Sequence, residues 1–409
     1  MSLLPSDSVL RYPAFAHFWL ARVATMMAYQ MLAVAVGWHI YELTSSPLDL
    51  GLIGLAQFMP SIALVLVVGH VADRYDRRQI SRIMMTIGIL ASLALAMGSA
   101  MGEITEFAIF AAIFVIGAAR AFQNPAMQAL LPALIPQRDL SRAIASSASA
   151  TQTAVIAGPA LGGMLFAFGP PTVYAVCAAL YAAGVVLMSR MRVDHAPGKR
   201  APATLASLFK GIAYIRGHPV MLGVISLDLF AVFLGGATAL LPVYARDILH
   251  IGPWGLGILR SATAVGALAM ALWLARHPLQ GGVGRMMFTA VAIYGVATIA
   301  FGVSTVFVLS FAALFVMGAA DMVSVVIRSS LVQLGTPDEM RGRVNAVNTM
   351  FIGASNQLGE FESGVTAAWF GTVPAVVIGG LGTLVVVGLW TRLFPRLARY
   401  DRLETSDPR

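Results

Sequence analysis

Long apolar stretches alternate with short charged or Gly/Pro-rich joints along almost the whole chain of 409 residues. An apolar stretch of about 20 residues is long enough to cross the hydrocarbon core of a bilayer as an α-helix. Six stretches precede a polar central segment, at roughly 15–41, 50–71, 80–100, 107–128, 143–168 and 172–191. Six more follow it, at roughly 218–245, 255–275, 286–303, 306–328, 344–369 and 373–393. The pattern predicts an all-α polytopic membrane protein with twelve transmembrane helices, numbered below as spans 1 to 12.

The basic residues predict which side of the membrane each joint faces. Arg and Lys concentrate in the even-numbered joints, the central segment and the C-terminal tail, whereas the odd-numbered joints are acidic and hold only Arg246 as a basic residue. Because Lys and Arg accumulate on the cytoplasmic side, we expect both termini and the central segment in the cytoplasm. The first apolar stretch lacks the basic start and the cleavage site of a signal peptide, so we expect it to remain as span 1.

Composition narrows the class of protein further. Apolar residues make up 58% of the chain and charged residues 11%, whereas soluble domains carry about 25% charged residues. This excludes a soluble enzyme, a disordered protein and, despite the net charge of +8, a nucleic-acid-binding protein. A single cysteine, Cys177, excludes a disulfide framework and a thiolate metal site. We therefore expect no metal and no cofactor.

The two sets of six spans are related by an internal sequence repeat. Gly117-Ala118-Ala119 recurs 201 residues later (318 − 117) as Gly318-Ala319-Ala320. At the same offset four further pairs are identical: Pro136 and Pro337, Arg142 and Arg343, Gly158 and Gly359, Gly163 and Gly364. Two related halves around a central site are typical of secondary transporters. We predict a six-helix bundle over 1–191, a cytoplasmic linker with an amphipathic helix over 192–217, and a second six-helix bundle over 218–409.

The joint between spans 2 and 3 carries a recognisable motif, Gly69-His-Val-Ala-Asp73-Arg74-Tyr-Asp76-Arg77-Arg78. It resembles the G-x-x-x-D-R-x-G-R-K/R joint of the major facilitator superfamily, with Asp76 in place of the second Gly. The resemblance implies a gate at this joint. Physically, Gly69 permits close helix packing, and the Asp73 carboxylate suits the positive N-terminal end of another helix.

Three further segments are similar to the same superfamily. Arg120-Ala-Phe-Gln123 resembles its R-x-x-Q motif, which implies a role in proton coupling. Gly158-Pro159-Ala-Leu-Gly162-Gly163 resembles the G-P-x-x-G-G motif of its exporters, with Ala154 where they carry another Gly. The segment 333–346 resembles the branch that contains the enterobactin exporter and related siderophore and drug exporters. The two lysines, Lys199 and Lys210, do not belong to a phosphate-binding loop, so we expect an ion gradient to drive transport, with protons implied by the resemblance.

Ionisable residues at membrane depth are candidates for function because they are costly there. Asp228 lies about ten residues into span 7, roughly 15 Å deep, which is the bilayer midplane. Arg120 and Asp321 are repeat mates (321 − 120 = 201) of opposite charge, and Glu360 and Glu362 lie in the outer half of span 11. We predict proton coupling at Asp228, Asp321, Glu360 and Arg120, with a permanent Asp–Arg packing pair as the alternative. Arg328 is expected to extend to the membrane edge and His39 to lie at the interface.

Polar side chains recur at helical spacing along spans 1, 4, 5 and 11 and predict faces that line a substrate cavity. The candidate cavity residues are Arg22, Tyr29, Gln30, Gln123, Asn124, Gln152, Asn348, Asn356 and Gln357. Hydroxyls and amides also hold membrane helices together, so a packing role for any one of them is the alternative.

Together, these observations predict a monomeric secondary transporter of a bacterial inner membrane that works by alternating access. Its predicted partners are a small-molecule substrate, protons and the lipid bilayer. The predicted activity is proton-coupled export of a small amphipathic molecule such as a siderophore or a drug. The alternatives are a lysophospholipid or other lipid or metabolite transporter, and a receptor without turnover. An integral membrane enzyme is disfavoured because the seven His are scattered and form no catalytic motif.

Overall fold

The computed structural model describes residues 8–191, 205–277, 279 and 281–401, without the side chains of residues 66, 70, 72, 73 and 205–208. The first half contains α1 (Pro13–Thr44), α2 (Pro47–Ala63, continued by Val65–Arg74), α3 (Arg77–Met101), α4 (Glu106–Leu130), α5 (Leu140–Phe166) and α6 (Pro170–Arg190). The second half contains α7 (Pro219–Leu234, continued by turns from Ala237 to Ile248), α8 (Gly252–Arg276), α9 (Val283–Val303), α10 (Phe307–Leu334), α11 (Asp338–Phe370) and α12 (Thr372–Leu393). A linker helix (Leu205–Gly217) precedes α7, and a short helix (Pro395–Ala398) follows α12.

The twelve predicted spans are therefore all helical, and no strand occurs in the described ranges. Nine of the described helices are each long and apolar enough to cross a membrane: α1, α3, α4, α6, α7, α8, α9, α10 and α12. The other three differ for local reasons. α2 is divided in two at Leu64, and α5 and α11 carry the polar stripes that lower their hydropathy.

The two halves repeat the same helix pairings, as the sequence repeat predicts. α1 packs against α5 and α6, and α7 packs in the same way against α11 and α12. α3 packs against α4 and α6, and α9 against α10 and α12. α4 and α10 begin at Glu106 and Phe307, which are 201 residues apart (307 − 106). The offset found in the sequence is therefore also the offset between the starts of this pair of equivalent helices.

The chain separates into two compact units. One, here called the N-terminal unit, comprises Met1–Thr44, Ala56–Pro202 and Gly252–Ser261, and the other, the C-terminal unit, comprises Ser45–Leu55, Ala203–Ile251 and Ala262–Arg409. The first turns of α2 thus pack within the C-terminal unit, where a Cβ on Gly51 would lie 3.0 Å from the Cα of Gly364. The first turns of α8 pack within the N-terminal unit. The first part of the predicted linker, 192–204, lies outside the described residues.

Span 7 contains a break that the apolar pattern over 218–245 does not indicate. Its first helix ends at Leu234, and Gly235 and Gly236 precede a short 3-10 turn at Ala237–Leu240. A Cβ on Gly236 would lie 2.8 Å from the Ser363 hydroxyl oxygen, so a residue without a side chain is needed where α7 meets α11. Glycines are common in membrane helices, so their presence alone does not predict a break.

His39, near the C-terminal end of α1, is buried among neighbouring helices, and its location at the depth of the membrane interface stays a prediction. It is 5% exposed, its Nδ1 lies 3.0 Å from the Tyr174 hydroxyl, and its ring packs against Tyr174 and Phe166. A hydrogen-bond partner on α6 makes burial of the imidazole affordable, because a buried polar group costs free energy chiefly when it is unpaired. The partner lies 135 positions away in sequence and is not evident from the neighbours of His39.

Candidate functional site

The C-terminal unit encloses a polar cavity of about 360 Å³ among α7, α8, α9, α10 and α11. Its wall contains the ionisable residues of those helices, the break of α7 and several amides. The lining residues are Asp228, Val232, Gly235, Gly236, Thr238, Thr263, Tyr294, Met317, Gly318, Asp321, Val325, Arg328, Ile352, Asn356, Gln357 and Glu360. The structure therefore brings together five of the predicted site residues: Asp228, Asp321, Asn356, Gln357 and Glu360.

Asp228 forms a buried ion pair with Arg328 across α7 and α10. The guanidinium Nη1 contacts the carboxylate Oδ2, and the Ser324 hydroxyl donates a hydrogen bond of 3.1 Å to Oδ1. Asp228 and Arg328 are only 5% and 4% exposed. The expectation that Arg328 reaches the membrane edge is wrong, because a buried carboxylate one helix away provides the counter-charge that the guanidinium needs.

Asp321 and Glu360 are the two other carboxylates on the cavity wall, and both are half-buried. Asp321 makes no hydrogen bond or ion pair with the described part of the chain. With three carboxylates and one guanidinium, the wall carries a formal charge of −2 when all four groups are ionised (1 − 3). The cavity is therefore an anionic environment within membrane-spanning helices.

The break of α7 is held against the cavity by α9. The Tyr294 hydroxyl donates a hydrogen bond of 3.1 Å to the carbonyl oxygen of Gly235, and a Cβ on Gly235 would lie 2.6 Å from the Tyr294 ring. Irregular backbone at membrane depth is tolerated where it lines a cavity or is buried in protein. In many transporters such discontinuous helices form the substrate site.

Not every predicted polar residue of α11 faces this cavity. Asn356 is exposed and lines it, and the Oε1 of Gln357 is buried there without a hydrogen-bond partner among the described residues. Asn348 is 9% exposed and Glu362 is half-buried, and both lie outside the wall of the cavity. The Glu362 carboxylate instead accepts a hydrogen bond of 2.7 Å from the Thr366 hydroxyl one turn later on α11.

The N-terminal unit contains a separate polar cluster built on Arg120. The Arg120 guanidinium carbon lies 3.3 Å from the centroid of the Tyr29 ring, a cation–π contact. The Tyr29 hydroxyl donates a hydrogen bond of 2.8 Å to Oε1 of Gln57 on α2. On the same helix as Tyr29, Arg22 donates from Nε to the Thr151 hydroxyl of α5 at 3.1 Å.

The remaining predicted cavity residues of the N-terminal unit differ in how deeply they are buried. Gln123 is buried, Gln30 and Gln152 are half-buried, and Asn124 is exposed. The Gln30 side chain lies beside Gly158, whose added Cβ would be 2.5 Å from the Gln30 Cβ. Gln30 therefore has a clear packing role between α1 and α5.

The Gly-Pro motif of α5 is a packing surface with two faces. A Cβ on Gly162 would lie 2.8 Å from the Met31 Cα of α1, and one on Gly163 would lie 3.1 Å from the Gly257 Cα of α8. Pro159 and Gly158 are buried between them. Backbones approach closely on both sides, which is the reason for small residues at these positions.

The joint between α2 and α3 uses its Asp and Arg residues in different ways. Asp76 caps α3 by accepting a hydrogen bond of 2.8 Å from the Arg78 backbone N–H, which explains a carboxylate where the family motif has Gly. The Arg78 Nη1 donates to the Met191 carbonyl at the end of α6. Arg74 is exposed and Arg77 half-buried. The side chain of Asp73 lies outside the described part, and Gly69 lies in the second helix of α2.

The predicted site residues did not include Gln57, Tyr294, Ser324 and Arg328, which take part in these clusters. The sequence did contain a signal for Ser324 and Arg328, because they lie three and seven positions after Asp321 and so share one helix face with it. Tyr294 and Gln57 act through contacts with other helices, which spacing along one helix does not reveal. Among the described residues, no group of three His, Cys, Asp or Glu residues is arranged to hold a metal ion.

Comparison with known proteins agrees with this architecture. The family described as transmembrane secretion effector, a part of the major facilitator superfamily, matches residues 6–407. The chain is 26% identical over 397 residues to the enterobactin exporter EntS of Citrobacter koseri, an alignment that covers 95% of this chain and 93% of that protein.

Two solved structures are similar in fold. The nucleoside transporter NupG has a TM-score of 0.73 at 15% identity, with 93% of this chain and 99% of that one covered. A bacterial homologue of the iron transporter ferroportin, in an inward-facing state, has a TM-score of 0.71 at 16% identity, with 96% and 99% covered. At such identities the similarity shows the fold alone.

Proposed function

Since the chain belongs to the transmembrane secretion effector family of the major facilitator superfamily, and is thus a multi-pass membrane transporter and not an enzyme, we propose that it exports a small amphipathic molecule in exchange for protons. The substrate class is a siderophore or a drug. The transporter works as a monomer by alternating access in a bacterial inner membrane, with both termini in the cytoplasm. The low-identity relationship to an enterobactin exporter supports the direction of transport.

The observation that carries the proposal is the cavity with Asp321 on its wall. A carboxylate in a poorly solvated site is costly when ionised, and its charged form becomes favourable when water or a cation reaches it. Arg328 is already paired with Asp228, so it does not neutralise Asp321 in the arrangement described. Asp321 is therefore the leading proton site, Glu360 the second, and Asp228 part of a charge pair that fixes α7 to α10.

The N-terminal unit supports the same mechanism in a different role. Arg120, held over the Tyr29 ring, offers a fixed positive charge that suits an anionic or hydrogen-bonding part of a substrate. Gln57, Gln123 and Arg22 supply further polar contacts on neighbouring helices. We propose that Arg120 serves substrate binding and that the C-terminal carboxylates serve proton exchange.

The test is transport in proteoliposomes with an imposed pH gradient, on a panel of labelled siderophores and amphipathic drugs. In Asp321→Asn, which mimics the neutral carboxyl, gradient-driven transport falls to the level of empty vesicles. Counterflow of labelled against unlabelled substrate continues, because exchange without net proton movement does not require the carboxylate to ionise. Glu362→Gln is the matched control, since Glu362 lies on α11 outside the cavity wall and is bonded to Thr366; it keeps both activities.

Other outcomes separate the alternatives. If gradient-driven transport survives in Asp321→Asn, the proton site is Glu360 or Asp228 instead. Movement of labelled lysophospholipid between leaflets without a gradient identifies a lipid transporter. A specific ligand that binds but is never transported identifies a receptor.

A further inference from the structure

A second set of cavities lies outside the polar site, along the boundary of α9 and α10. One has a volume of about 590 Å³ and is lined chiefly by apolar or small side chains from Met286 to Ile293 on α9 and from Val316 to Val323 on α10. The next has a volume of about 440 Å³ and continues to Ala300 on α9 and Leu309 on α10. The two share Thr289, Ile293 and Val316, so they form one continuous groove, here called the α9–α10 groove.

Small residues create the groove. Ala319 and Ala320 on α10 and Ala297 on α9 leave space that larger side chains would fill. The rims are exposed apolar side chains such as Ile293 and Val316, which are 45% and 40% exposed. In a membrane-spanning chain this exposed apolar surface faces lipid tails.

The groove has one charged end. Arg285, in the first turn of α9, is exposed and lines the larger cavity. From Gly282, the N-cap of α9, to Ile293 this cavity follows the helix over 11 residue steps (293 − 282), or about 16 Å at a rise of 1.5 Å per residue. That length is about half of the 30 Å hydrocarbon core, which is the depth of one leaflet. A lipid with its tail in the larger cavity therefore has its headgroup at Arg285.

The surroundings of Arg285 are positively charged. The backbone of the segment after α12 packs against the start of α9, where Gly284 donates a hydrogen bond of 2.8 Å to the Tyr400 carbonyl. That segment carries the exposed Arg396 and Arg399. Its carboxylate, Asp401, accepts a hydrogen bond of 2.8 Å from the Gly282 backbone and is occupied in capping the helix. The charge at this end therefore favours an anionic group.

We propose that the α9–α10 groove binds one acyl chain of an anionic phospholipid, with its phosphate on Arg285. The orientation proposed above places this end in the cytoplasmic leaflet. Lipid tails are as apolar as the groove wall, so the wall gives packing but little hydrophobic selectivity. The headgroup contact with Arg285 provides the selectivity for an anionic lipid.

A second copy of the chain fits the groove less well. Contacts between two identical subunits related by a twofold axis are self-complementary. A parallel dimer through this groove would bring the Arg285 side chains of the two copies towards each other, and like charges oppose such pairing. A lipid phosphate has the complementary charge.

The test is native mass spectrometry of the full chain in neutral detergent, titrated with phosphatidylglycerol and phosphatidylcholine of the same acyl chains. The wild type is expected to bind phosphatidylglycerol about fivefold more tightly, the ratio that one arginine near an anionic headgroup supplies. Arg285→Gln removes most of this preference, because Arg285 is the charged residue that lines the cavity. Arg392→Gln, which loses the same charge at the exposed end of α12, keeps it. Thr289→Phe fills the junction of the two cavities from an exposed position and reduces binding of both lipids.

An unchanged preference in Arg285→Gln overturns the proposal, as does binding of both lipids that Thr289→Phe leaves intact. Dimers that disappear in Thr289→Phe would also overturn it and identify the groove as a contact between copies. None of these readouts requires transport, so the result is independent of the proposed export activity.

Discussion

In the N-terminal unit an arginine, Arg120, lies over an aromatic ring, and in the C-terminal unit the matching place of the repeat holds Asp321 (321 − 120 = 201). The difference extends to the neighbouring positions. Counting back 201 residues from Asp228 and Arg328 reaches Met27 and Met127, and counting back from Glu360 reaches Pro159. At these positions the N-terminal unit has two methionines and a proline, whereas the C-terminal unit has an ion pair and a carboxylate.

The close backbone contacts, by contrast, are present in both units. Gly163 in α5 and its repeat mate Gly364 in α11 each face a glycine of another helix, Gly257 and Gly51 respectively. The repeat therefore fixes how the helices pack, while the ionisable chemistry differs between the units. A function that needs both a fixed cation and titrating carboxylates can divide them between two copies of one scaffold.

The largest expected effect comes from breaking the Asp228–Arg328 ion pair of the C-terminal unit, whose repeat mates are Met27 and Met127. Asp228→Asn leaves the buried Arg328 without its counter-charge and destabilises the fold by about 3–5 kcal/mol. Asp228→Met combined with Arg328→Met restores stability to near the wild-type level, because an apolar replacement of a buried pair is often neutral or better. Thermal unfolding in detergent measures both. A double variant as unstable as the single one would show that the pair contributes more than charge balance.

A medium effect on stability is expected at Gly162, where the backbones of two helices lie too close together to accommodate a side chain. Gly162→Ala places a Cβ 2.8 Å from the Met31 Cα, and this overpacking costs about 1–3 kcal/mol. Gly388→Ala on α12 is the matched control, since a Cβ there meets no heavy atom within 4 Å, and alanine stabilises a helix interior by about 0.5–1 kcal/mol relative to glycine. The two unfolding temperatures should therefore shift in opposite directions. Equal shifts would mean that α1 and α5 are free to separate.

The smallest effect concerns the joint between α4 and α5 in the N-terminal unit, where Asp139 precedes α5 and meets Tyr12. The Tyr12 hydroxyl donates a hydrogen bond of 2.8 Å to Asp139, and this bond, with help from Arg138 and Arg11, holds the pKa of Asp139 below its ordinary value of 3.8. A lowered pKa in the folded state means that the bond stabilises the fold above that value. Its contribution is lost as the pH falls through the folded pKa.

Unfolding curves of the wild type and Tyr12→Phe are therefore expected to differ slightly at about pH 6 and to converge towards about pH 3. In the C-terminal unit the Asp338–Arg341 pair has an Asp338 side chain that is 87% exposed, so Asp338→Asn should change stability little at either pH. A constant difference for Tyr12→Phe across the range would show that the tyrosine acts through packing alone.

The spans were predictable because each requires a long apolar run, and the repeat was predictable because glycines and prolines recur at a fixed offset. Asp228, Asp321 and Glu360 were identifiable as costly charges at membrane depth. The partner of Asp228 was not, because Arg328 lies 100 residues later (328 − 228) and only the folded packing of α7 against α10 brings the two together. The hydrogen bond from Tyr294 to the break of α7 was hidden for the same reason.

The break at Gly235 and Gly236 also changes the electric field of the cavity. An unbroken α7 would carry one dipole along its whole length, whereas the interrupted helix ends at Leu234, next to the lining residue Gly235. The carboxyl end of a helix carries about half a negative elementary charge. This fraction of a charge belongs to the peptide backbone, and one of its carbonyl neighbours, Gly235, is oriented by Tyr294. The helix end therefore adds a partial negative charge beside Asp321 and Glu360 that does not depend on whether these carboxylates are ionised.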